Sequence, residues 1–239
     1  MVTVKELREL SKRKRRDFIY SFMDYLAYYP AWLFLHTPLT ANQVTLIWII
    51  GQLISALFVA KGTWLSMFLG VTAFQLFFIL DCSDGIIARY KKQFSLNGIY
   101  FDYLGHYIAN PLLLICFGIG TFRITGKILP LLLGILAALL FLLNKATTLN
   151  PLWYSDKAQQ HLVEASFEKS LLKNQRTLLY SVFAFFRLEY LFNLMFWGAL
   201  WGLHYYVLGI YTLFFLLELI RKIAAQLNSN YRLDKRREI

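Results

Sequence analysis

The chain has 239 residues with a formal net charge of +11, and 58% of its residues are hydrophobic and 18% aromatic. This composition, with a mean hydropathy of +0.48, is far from that of an average soluble globular domain. A soluble helical protein of this composition would need a very large core. The basic residues flank apolar runs and have no separate domain of their own, so anionic lipid headgroups rather than nucleic acid are the expected counter-charge. The sequence therefore predicts a membrane protein surrounded by lipid, with no nucleic-acid partner.

The N-terminal segment alternates charged residues with leucine, isoleucine, phenylalanine and tyrosine over residues 3–28. This pattern predicts an amphipathic helix that lies in the cytoplasmic interface of the membrane, and a solvated basic arm is the alternative. Prolines then interrupt the chain, and Thr40 or Asn42 is placed to cap the first spanning helix. Residues 1–40 are thus predicted to form a cytoplasmic and interfacial segment.

Six apolar runs follow, each close to the lower limit of the about 17–25 residues that a spanning helix needs. The runs lie at residues 44–60, 63–80, 107–122, 128–143, 190–203 and 205–220. The predicted fold class is an all-α integral membrane protein, with six transmembrane helices preceded by the amphipathic interfacial N-terminal helix. The transmembrane domain is predicted at residues 41–225, with a long polar loop at 145–186 and a basic cytoplasmic tail at 226–239.

The distribution of basic residues predicts the orientation of the chain in the membrane. Seven of the 25 basic residues lie at residues 5–16, and others lie in the loop after the second run and in the C-terminal tail. The short loops of the opposite side carry Lys61, Arg123 and Lys127. With an even number of spans, the positive-inside rule places both termini and the loops after the second and fourth runs in the cytoplasm. The predicted location is the cytoplasmic, or inner, membrane, with the active site facing the cytoplasm.

The end of the second apolar run carries charged and small residues on one helical face. At about 100° per residue, Asp81 and Asp84 share this face with Gly85 and Ala88. The face is therefore acidic and sterically open, so a flat or bulky group could approach the backbone there. Arg89 follows directly and supplies positive charge suited to phosphate oxygens.

The start of the third predicted helix carries a second polar stripe. Gly98, Asp102 and His106 are spaced i, i+4 and i+8, so they lie on one side of the helix. A short loop joins the two helices, which predicts that they run antiparallel beside each other and bring Asp102 and His106 close to Asp81 and Asp84. Like charges so placed repel in a low dielectric unless a cation lies among them. Oxygen ligands without thiolates favour Mg²⁺ or Mn²⁺.

This stretch resembles the signature of the CDP-alcohol phosphotransferase family. The pattern D-x2-D-G-x2-A-R-x8-G-x3-D-x3-D agrees at seven of its eight fixed positions, and its final aspartate is replaced by His106. The matching residues are Asp81, Asp84, Gly85, Ala88, Arg89, Gly98 and Asp102. The wider plan is similar too, with an interfacial N-terminal helix, six spanning helices, and the signature running from the second spanning helix into the third.

By this resemblance, Asp81, Asp84, Asp102 and His106 are expected to hold two divalent ions, Mg²⁺ or Mn²⁺, which the diphosphate of a CDP-alcohol would bridge. An acceptor hydroxyl would then displace CMP. The residues expected at the nucleotide and its diphosphate are Asp84, Gly85, Ala88, Arg89, Gly98, Asn42 and Thr45. Capping of the first spanning helix explains the last two equally well. The resemblance also implies a homodimer.

His106 is the departure from the family pattern, whose fourth aspartate acts as general base or metal ligand. A neutral imidazole can ligate a divalent ion, and histidine also suits a general base at neutral pH. His106 and Asp102 are the predicted catalytic residues, and His106 takes the acceptor proton, positions the acceptor, or binds metal. A helix histidine satisfied by a neighbour is the structural alternative. Further along, Arg187 could meet an acceptor phosphate or form a local ion pair with Glu189.

The leading functional hypothesis is a membrane transferase that moves a phosphoalcohol group from a CDP-alcohol to a hydroxyl acceptor in phospholipid synthesis, with at least one lipid substrate. Use of a soluble CDP-alcohol to modify a lipid-linked glycan is the alternative within the family. Outside catalysis, the alternatives are an inactive relative and a transporter, whose relay would consist of Asp81, Asp102, His106 and Glu218. The clustering of the carboxylates at one membrane face argues against a relay.

Overall fold

The computed structural model describes residues 2–11, 18–93, 95–147 and 185–237. All regular secondary structure in these ranges is helical, which confirms the predicted all-α class for the described part of the chain. The eight helices in these ranges are α1 (Val4–Ser11), α2 (Phe18–Leu35), α3 (Ala41–Val59), α4 (Trp64–Tyr90), α5 (Leu96–Thr125), α6 (Leu129–Ala146), α7 (Leu194–Leu200) and α8 (His204–Arg237). Most of the predicted polar loop at 145–186 lies outside the described residues, as does the end of the predicted tail.

Four of these helices, α3 to α6, are long and apolar enough to cross a membrane by length and composition. They correspond to the first four predicted runs and support an integral membrane protein. Helix α4 has 27 residues and α5 has 30. At 1.5 Å per residue each is about 40 Å long or more, which exceeds a hydrocarbon thickness of about 30 Å. Both helices are therefore long enough to extend beyond the hydrocarbon region or to cross it at a tilt.

The fifth and sixth apolar runs do not each form one separate membrane-length helix in the structure. Within 190–203 the described chain forms one regular helix, α7, which has seven residues and is interrupted before α8, where Gly202 has a φ of 73°. Helix α8 includes the sixth run and continues to Arg237, into the predicted tail. The count of six transmembrane helices is therefore not confirmed and, like the predicted domain bounds, stays a prediction.

The described parts of the N-terminal segment form helices α1 and α2, and residues 12–17 between them lie outside the described residues, so the single helix predicted over residues 3–28 stays a prediction. Helix α2 passes through Pro30 without ending there. Buried side chains of both helices, including Leu7 and Ala27, pack against the buried Ile86 of α4. This contact attaches the segment to the end of α4 that carries the signature. Its position in the membrane interface stays a prediction.

Helices α5 and α6 pack closely through Gly118 and Gly134. A Cβ atom added to Gly134 would lie 2.7 Å from the Leu114 carbonyl oxygen, and one added to Gly118 would lie 2.9 Å from the Pro130 carbonyl oxygen. Small residues permit such close backbone approach between membrane helices. Around this contact, buried apolar side chains from α3 to α8 form the main core.

Helix α3 packs along both α4 and α5, whereas α4 and α5 contact each other little. The prediction that the loop places α4 and α5 side by side is therefore wrong for most of their length. The physical reason is that α3 lies between them and packs against both, and its fully buried Trp48 reaches both helices. Gly105 of α5 leaves room for it, because a Cβ there would lie 2.6 Å from a Trp48 ring atom. Three helices thus surround the predicted site.

Candidate functional site

Local contacts fix the turn between α4 and α5. Helix α4 ends at Tyr90, and Lys91 Nζ donates a hydrogen bond of 2.7 Å to the Leu39 carbonyl oxygen. Ser95 caps α5, and its Oγ accepts a hydrogen bond of 2.9 Å from the Gly98 backbone N–H. The turn is therefore attached to the chain just before α3, and the predicted site residues of α4 and α5 lie near this end.

Asp81 of α4 and Asp102 and His106 of α5 come together at this end. His106 Nε2 lies 3.6 Å from Asp81 Oδ2 and 3.6 Å from Asp102 Oδ1. One ligand atom from each of the three residues lies within 4.8 Å of the others. The side chains of Asp81 and His106 are 12% and 19% exposed, whereas that of Asp102 is 43% exposed. The cluster is therefore mostly enclosed and opens to the surface at Asp102.

This cluster has the chemistry of a divalent-cation site. Carboxylate oxygens and an imidazole nitrogen are ligands that Mg²⁺ and Mn²⁺ accept, and neighbouring carboxylates repel unless positive charge lies among them. The residues fit the ion that the resemblance implies, because donors from two helices converge on one place. Three of the four predicted metal ligands are thus brought together. Metal binding itself stays a prediction.

Asp84 lies one turn further along α4 and is held by α3. Its Oδ2 accepts a hydrogen bond of 2.5 Å from Thr45 Oγ1 and one of 3.0 Å from Trp48 Nε1. Asp84 is not part of the three-residue cluster, although the negative charges of Asp81 and Asp102 act on it. Thr45, predicted to lie near a nucleotide diphosphate, therefore has an acidic partner within the protein.

Asn42 and Gly98 are brought together where α3 meets α5. Thr40, rather than Asn42, caps α3, because its side chain accepts a hydrogen bond from the Gln43 backbone N–H in a reciprocal capping box. Asn42 Nδ2 instead donates a hydrogen bond of 3.3 Å to Ser95 Oγ. A Cβ atom on Gly98 would lie 2.6 Å from Asn42 Oδ1, so the missing side chain permits this close approach.

The predicted open face of α4 is partly covered. The Arg89 guanidinium lies beside Gly85, since a Cβ atom added to Gly85 would lie 3.4 Å from Arg89 Nη1. Ala88 packs against the buried cluster that joins α4 to α1 and α2. Gly85, Ala88 and Arg89 therefore all lie on α4 as predicted, with the guanidinium of Arg89 next to Gly85. Their contact with a nucleotide stays a prediction.

Two residues that the sequence analysis did not assign to the site contribute to its geometry. Glu189 Oε1 lies 3.4 Å from His106 Nδ1 and accepts a hydrogen bond of 2.5 Å from Asn110 Nδ2. Asn110 follows Asp102 and His106 on α5 at the same spacing of four, and this polar residue in an apolar run is the signal that could have identified it. Glu189 has no such signal, because proximity in sequence pairs it with Arg187.

Aromatic rings enclose His106. The ring centroids of Trp48 and His106 are 5.0 Å apart, and those of Phe78 and His106 are 6.2 Å apart. Tyr190 in turn packs against Phe78 with ring centroids 6.1 Å apart. The imidazole is thus restricted by rings from α3 and α4, which limits its rotation and leaves its two nitrogen atoms pointing at acidic groups.

Glu189 is an anionic group in this environment. Burial raises the pKa of Glu189, but His106 in its protonated form, Lys145, Arg187 and the Asn110 hydrogen bond together leave this pKa below its ordinary value. Arg187 itself is exposed and donates a hydrogen bond of 3.2 Å to Tyr190 Oη. The carboxylate of Glu189 therefore adds a negative charge behind His106.

The family comparison agrees with the resemblance seen in the signature. A family model described as CDP-alcohol phosphatidyltransferase matches residues 38–220 of the chain. The match begins just before α3 and ends within α8, so it includes every predicted site residue and leaves α1 and α2 outside. A comparison with curated proteins finds no match to the chain.

Proposed function

The chain belongs to the CDP-alcohol phosphatidyltransferase family, and we propose that it is a divalent-metal-dependent membrane transferase of phospholipid synthesis. The family transfers a phosphoalcohol group from a CDP-alcohol donor to an acceptor. In this chain the reaction would join that group to an acceptor hydroxyl and release CMP. The observation that carries the proposal is the convergence of Asp81, Asp102 and His106 within the matched region.

We assign one cation to Asp81, Asp102 and His106, whose donor atoms converge. Asp84, held in place by Thr45, supplies a carboxylate for a second cation, so two ions of Mg²⁺ or Mn²⁺ are proposed. When bound, these ions supply positive charge that neutralises the diphosphate and the departing CMP. The family's divalent-metal use and the donor set of oxygen and imidazole atoms support this assignment.

The acceptor oxygen attacks the phosphorus that carries the donor alcohol, in line with the oxygen that joins it to CMP. A new phosphorus–oxygen bond forms, the bond to the bridging oxygen breaks, and CMP leaves with the electron pair. We assign the acceptor proton to Asp102, because its carboxylate is the most exposed of the cluster and His106 faces its Oδ1. His106 takes the position of the family's fourth aspartate and offers Nε2 as a ligand.

The nucleotide is proposed to bind along the face of α4 beside the cluster. Arg89 is suited to phosphate oxygens because its guanidinium can donate two parallel hydrogen bonds. Gly85 and Ala88 are assigned to the cytidine because they are the smallest residues of this face, and the Arg89 guanidinium beside Gly85 would turn toward the phosphates. Asn42 and Gly98, which meet at the adjacent ends of α3 and α5, supply an amide and a close backbone approach.

At least one substrate is proposed to be a lipid. Exposed apolar and aromatic side chains of α5 surround Asp102, and they are Leu96, Ile99, Tyr100, Phe101 and Tyr103. Such a surface beside the reacting group supports a substrate that arrives from the bilayer. We further propose a homodimer in the cytoplasmic membrane, with a catalytic domain at 41–225, a tail at 226–239, and both the site and the termini facing the cytoplasm.

The test is CMP release by the protein purified in nanodiscs. CDP-diacylglycerol, CDP-choline, CDP-ethanolamine, CDP-glycerol and CDP-inositol are supplied with Mg²⁺, Mn²⁺ or a chelator, together with candidate acceptors. We expect metal-dependent release from one donor, loss of release in Asp102→Asn, and unchanged release in Glu218→Gln, a matched change on α8. Stabilisation by CMP with Mn²⁺ distinguishes an enzyme from a transporter. Absence of metal-dependent CMP release from every donor would refute the proposal, whether or not CMP with Mn²⁺ stabilises the protein.

A further inference from the structure

We propose that Glu189 is a positioning residue that supplies the carboxylate missing from the signature by holding His106 at its Nδ1 edge, so that Nε2 faces Asp81 and Asp102. This inference rests on the proposed function of the same site. It gives the chain four carboxylates around the site, as in the family pattern, although the fourth comes from a segment outside the signature. The residue acts through His106 and does not itself contact the reacting atoms.

The contacts of the imidazole place acids at both of its edges. Nε2 lies 3.6 Å from an oxygen of Asp81 and from an oxygen of Asp102, whereas Nδ1 lies 3.4 Å from Glu189 Oε1. Nδ1 is buried and, among the described residues, has no hydrogen bond of good geometry. A contact of 3.4 Å is slightly longer than a hydrogen bond, and such contacts commonly tighten when a site is filled. Glu189 is therefore the acceptor placed for an N–H at Nδ1.

Asn110 holds the Glu189 carboxylate in this position. Its Nδ2 donates to Glu189 Oε1 at 2.5 Å, across 79 residues of sequence. Asn110 is fully buried and lies one turn beyond His106 on α5. The same helix thus carries both the histidine and the amide that fixes its acidic neighbour, so the two contacts to Glu189 are set by one rigid element.

The segment that carries Glu189 is itself braced against the core. Asn193 Nδ2 donates to the carbonyl oxygens of Arg187 and Leu188, at 3.0 and 2.7 Å. Gln75 of α4 accepts a hydrogen bond of 3.1 Å from the Phe192 backbone N–H. Asn193 and Gln75 are both buried, so these bonds are shielded from water. The segment therefore presents Glu189 in a defined place.

A carboxylate behind a ligating histidine has a known physical effect. It accepts the second ring N–H, fixes the tautomer and the orientation of the ring, and strengthens the other nitrogen as a ligand. Replacement of an aspartate by a histidine removes one negative charge from a cation site, and Glu189 returns that charge on the far side of the ring. Glu189 therefore compensates for the negative charge that is lost where His106 replaces the family's aspartate.

The test measures the affinity of the full chain in detergent for Mn²⁺ by electron paramagnetic resonance, without substrate. It compares the natural chain, Glu189→Gln, His106→Asp and the double variant. Glu189→Gln keeps the shape and the oxygen that Asn110 contacts but removes the charge. We expect it to weaken Mn²⁺ binding about 10–100-fold in the natural chain. In a His106→Asp background the same change should leave binding unchanged or improve it, because the carboxylate introduced at 106 would be repelled by Glu189.

An equal loss in both backgrounds would overturn the proposal, since it would mean that Glu189 only supports the fold. Glu189→Asp, which keeps the charge but is shorter, should lose less affinity than Glu189→Gln, and it carries the test if the glutamine variant does not fold. Glu218→Gln is the matched control and should have no effect. Mn²⁺ binding with no CMP release from any donor would refute the proposed function but not this inference, whereas failure of the natural chain to bind Mn²⁺ would refute the inference.

Discussion

The site has two halves, whose carboxylates are surrounded by different kinds of partner. The α3 half consists of Asp84, Thr45 and Trp48, and the α5 half consists of Asp81, Asp102, His106 and Glu189. In the α3 half, neutral hydroxyl and indole donors hold one carboxylate oxygen. In the α5 half, three carboxylates surround a single imidazole. The first half therefore has hydrogen-bond donors within the protein for its carboxylate, whereas the second half gathers its carboxylates around one imidazole and depends more strongly on added cationic charge.

This difference indicates that substitutions in the two halves have different consequences. Loss of a group from the α5 half should change metal affinity and activity together, because its members act on one ion. Loss of a donor from the α3 half should change activity through the position of Asp84, with metal affinity at the α5 half retained. The following predictions are ordered from the largest expected effect to the smallest.

Asp81→Asn should have the largest effect. It removes a charged ligand from the α5 half, and several kcal/mol of charge stabilisation corresponds to a loss of about 10³-fold or more in CMP release. Mn²⁺ binding should fall in the same variant, measured by electron paramagnetic resonance. Glu218→Gln controls for the loss of a carboxylate elsewhere. Activity within tenfold of the natural chain, with Mn²⁺ binding intact, would separate Asp81 from the site.

Two substitutions of His106 should differ from each other. His106→Ala removes a ligand, so we expect Mn²⁺ affinity and CMP release to fall about 100-fold. His106→Asp restores the family pattern and should retain more activity than the alanine variant. The comparison also identifies the role of the histidine: a general base would lower the CMP release rate on alanine substitution while leaving Mn²⁺ affinity unchanged.

Thr45→Val should have a smaller and more selective effect. It removes one hydrogen bond to a charged group, worth about 1.5–3 kcal/mol, so CMP release should fall about tenfold or more. Mn²⁺ affinity at the α5 half should stay within a factor of two or so. Thr72→Val is the matched control, because the Thr72 hydroxyl donates to the Phe68 carbonyl oxygen within α4. A parallel loss of Mn²⁺ affinity would show that the two halves are not separable.

Ser95→Ala should have the smallest effect. It removes the side-chain cap of α5, which costs about 1 kcal/mol of unfolding free energy. The change also removes the hydrogen-bond partner of Asn42 but no contact to either half, so CMP release at low temperature should fall less than in Thr45→Val while thermal stability in detergent falls. Ser55→Ala is the control, since the Ser55 hydroxyl bonds within α3 to the Gly51 carbonyl oxygen. An activity loss larger than that of Thr45→Val would contradict the expected order.

The sequence predicted the α5 stripe well because helical spacing alone determines it. Asp102 and His106 are separated by four residues on one helix, so any α-helix places them together. The prediction that Asp81 lies near His106 depended also on the short loop between α4 and α5. The two side chains are indeed close, near the end where the loop joins the helices. These features depend on local geometry, which a single sequence contains.

The rest depends on packing between distant segments, which periodicity does not contain. The position of α3 between α4 and α5 includes the close fit of Trp48 against Gly105, and no spacing rule indicates which helix fills that space. Glu189 reaches His106 through the braced segment around it, far along the chain. The apolar run at 190–203 also hides the break at Gly202, because hydrophobicity indicates burial but not continuity of a helix.

Trp48 links the two halves, and this has a consequence for any ligand that enters. Its indole N–H donates to Asp84, while its ring lies against that of His106. The backbone of Gly105 packs closely against the Trp48 ring, with no room for a side chain between them. Displacement of this one side chain would therefore remove a hydrogen bond from Asp84 and a ring contact from His106 together, so a ligand that moved Trp48 would disturb both halves at once.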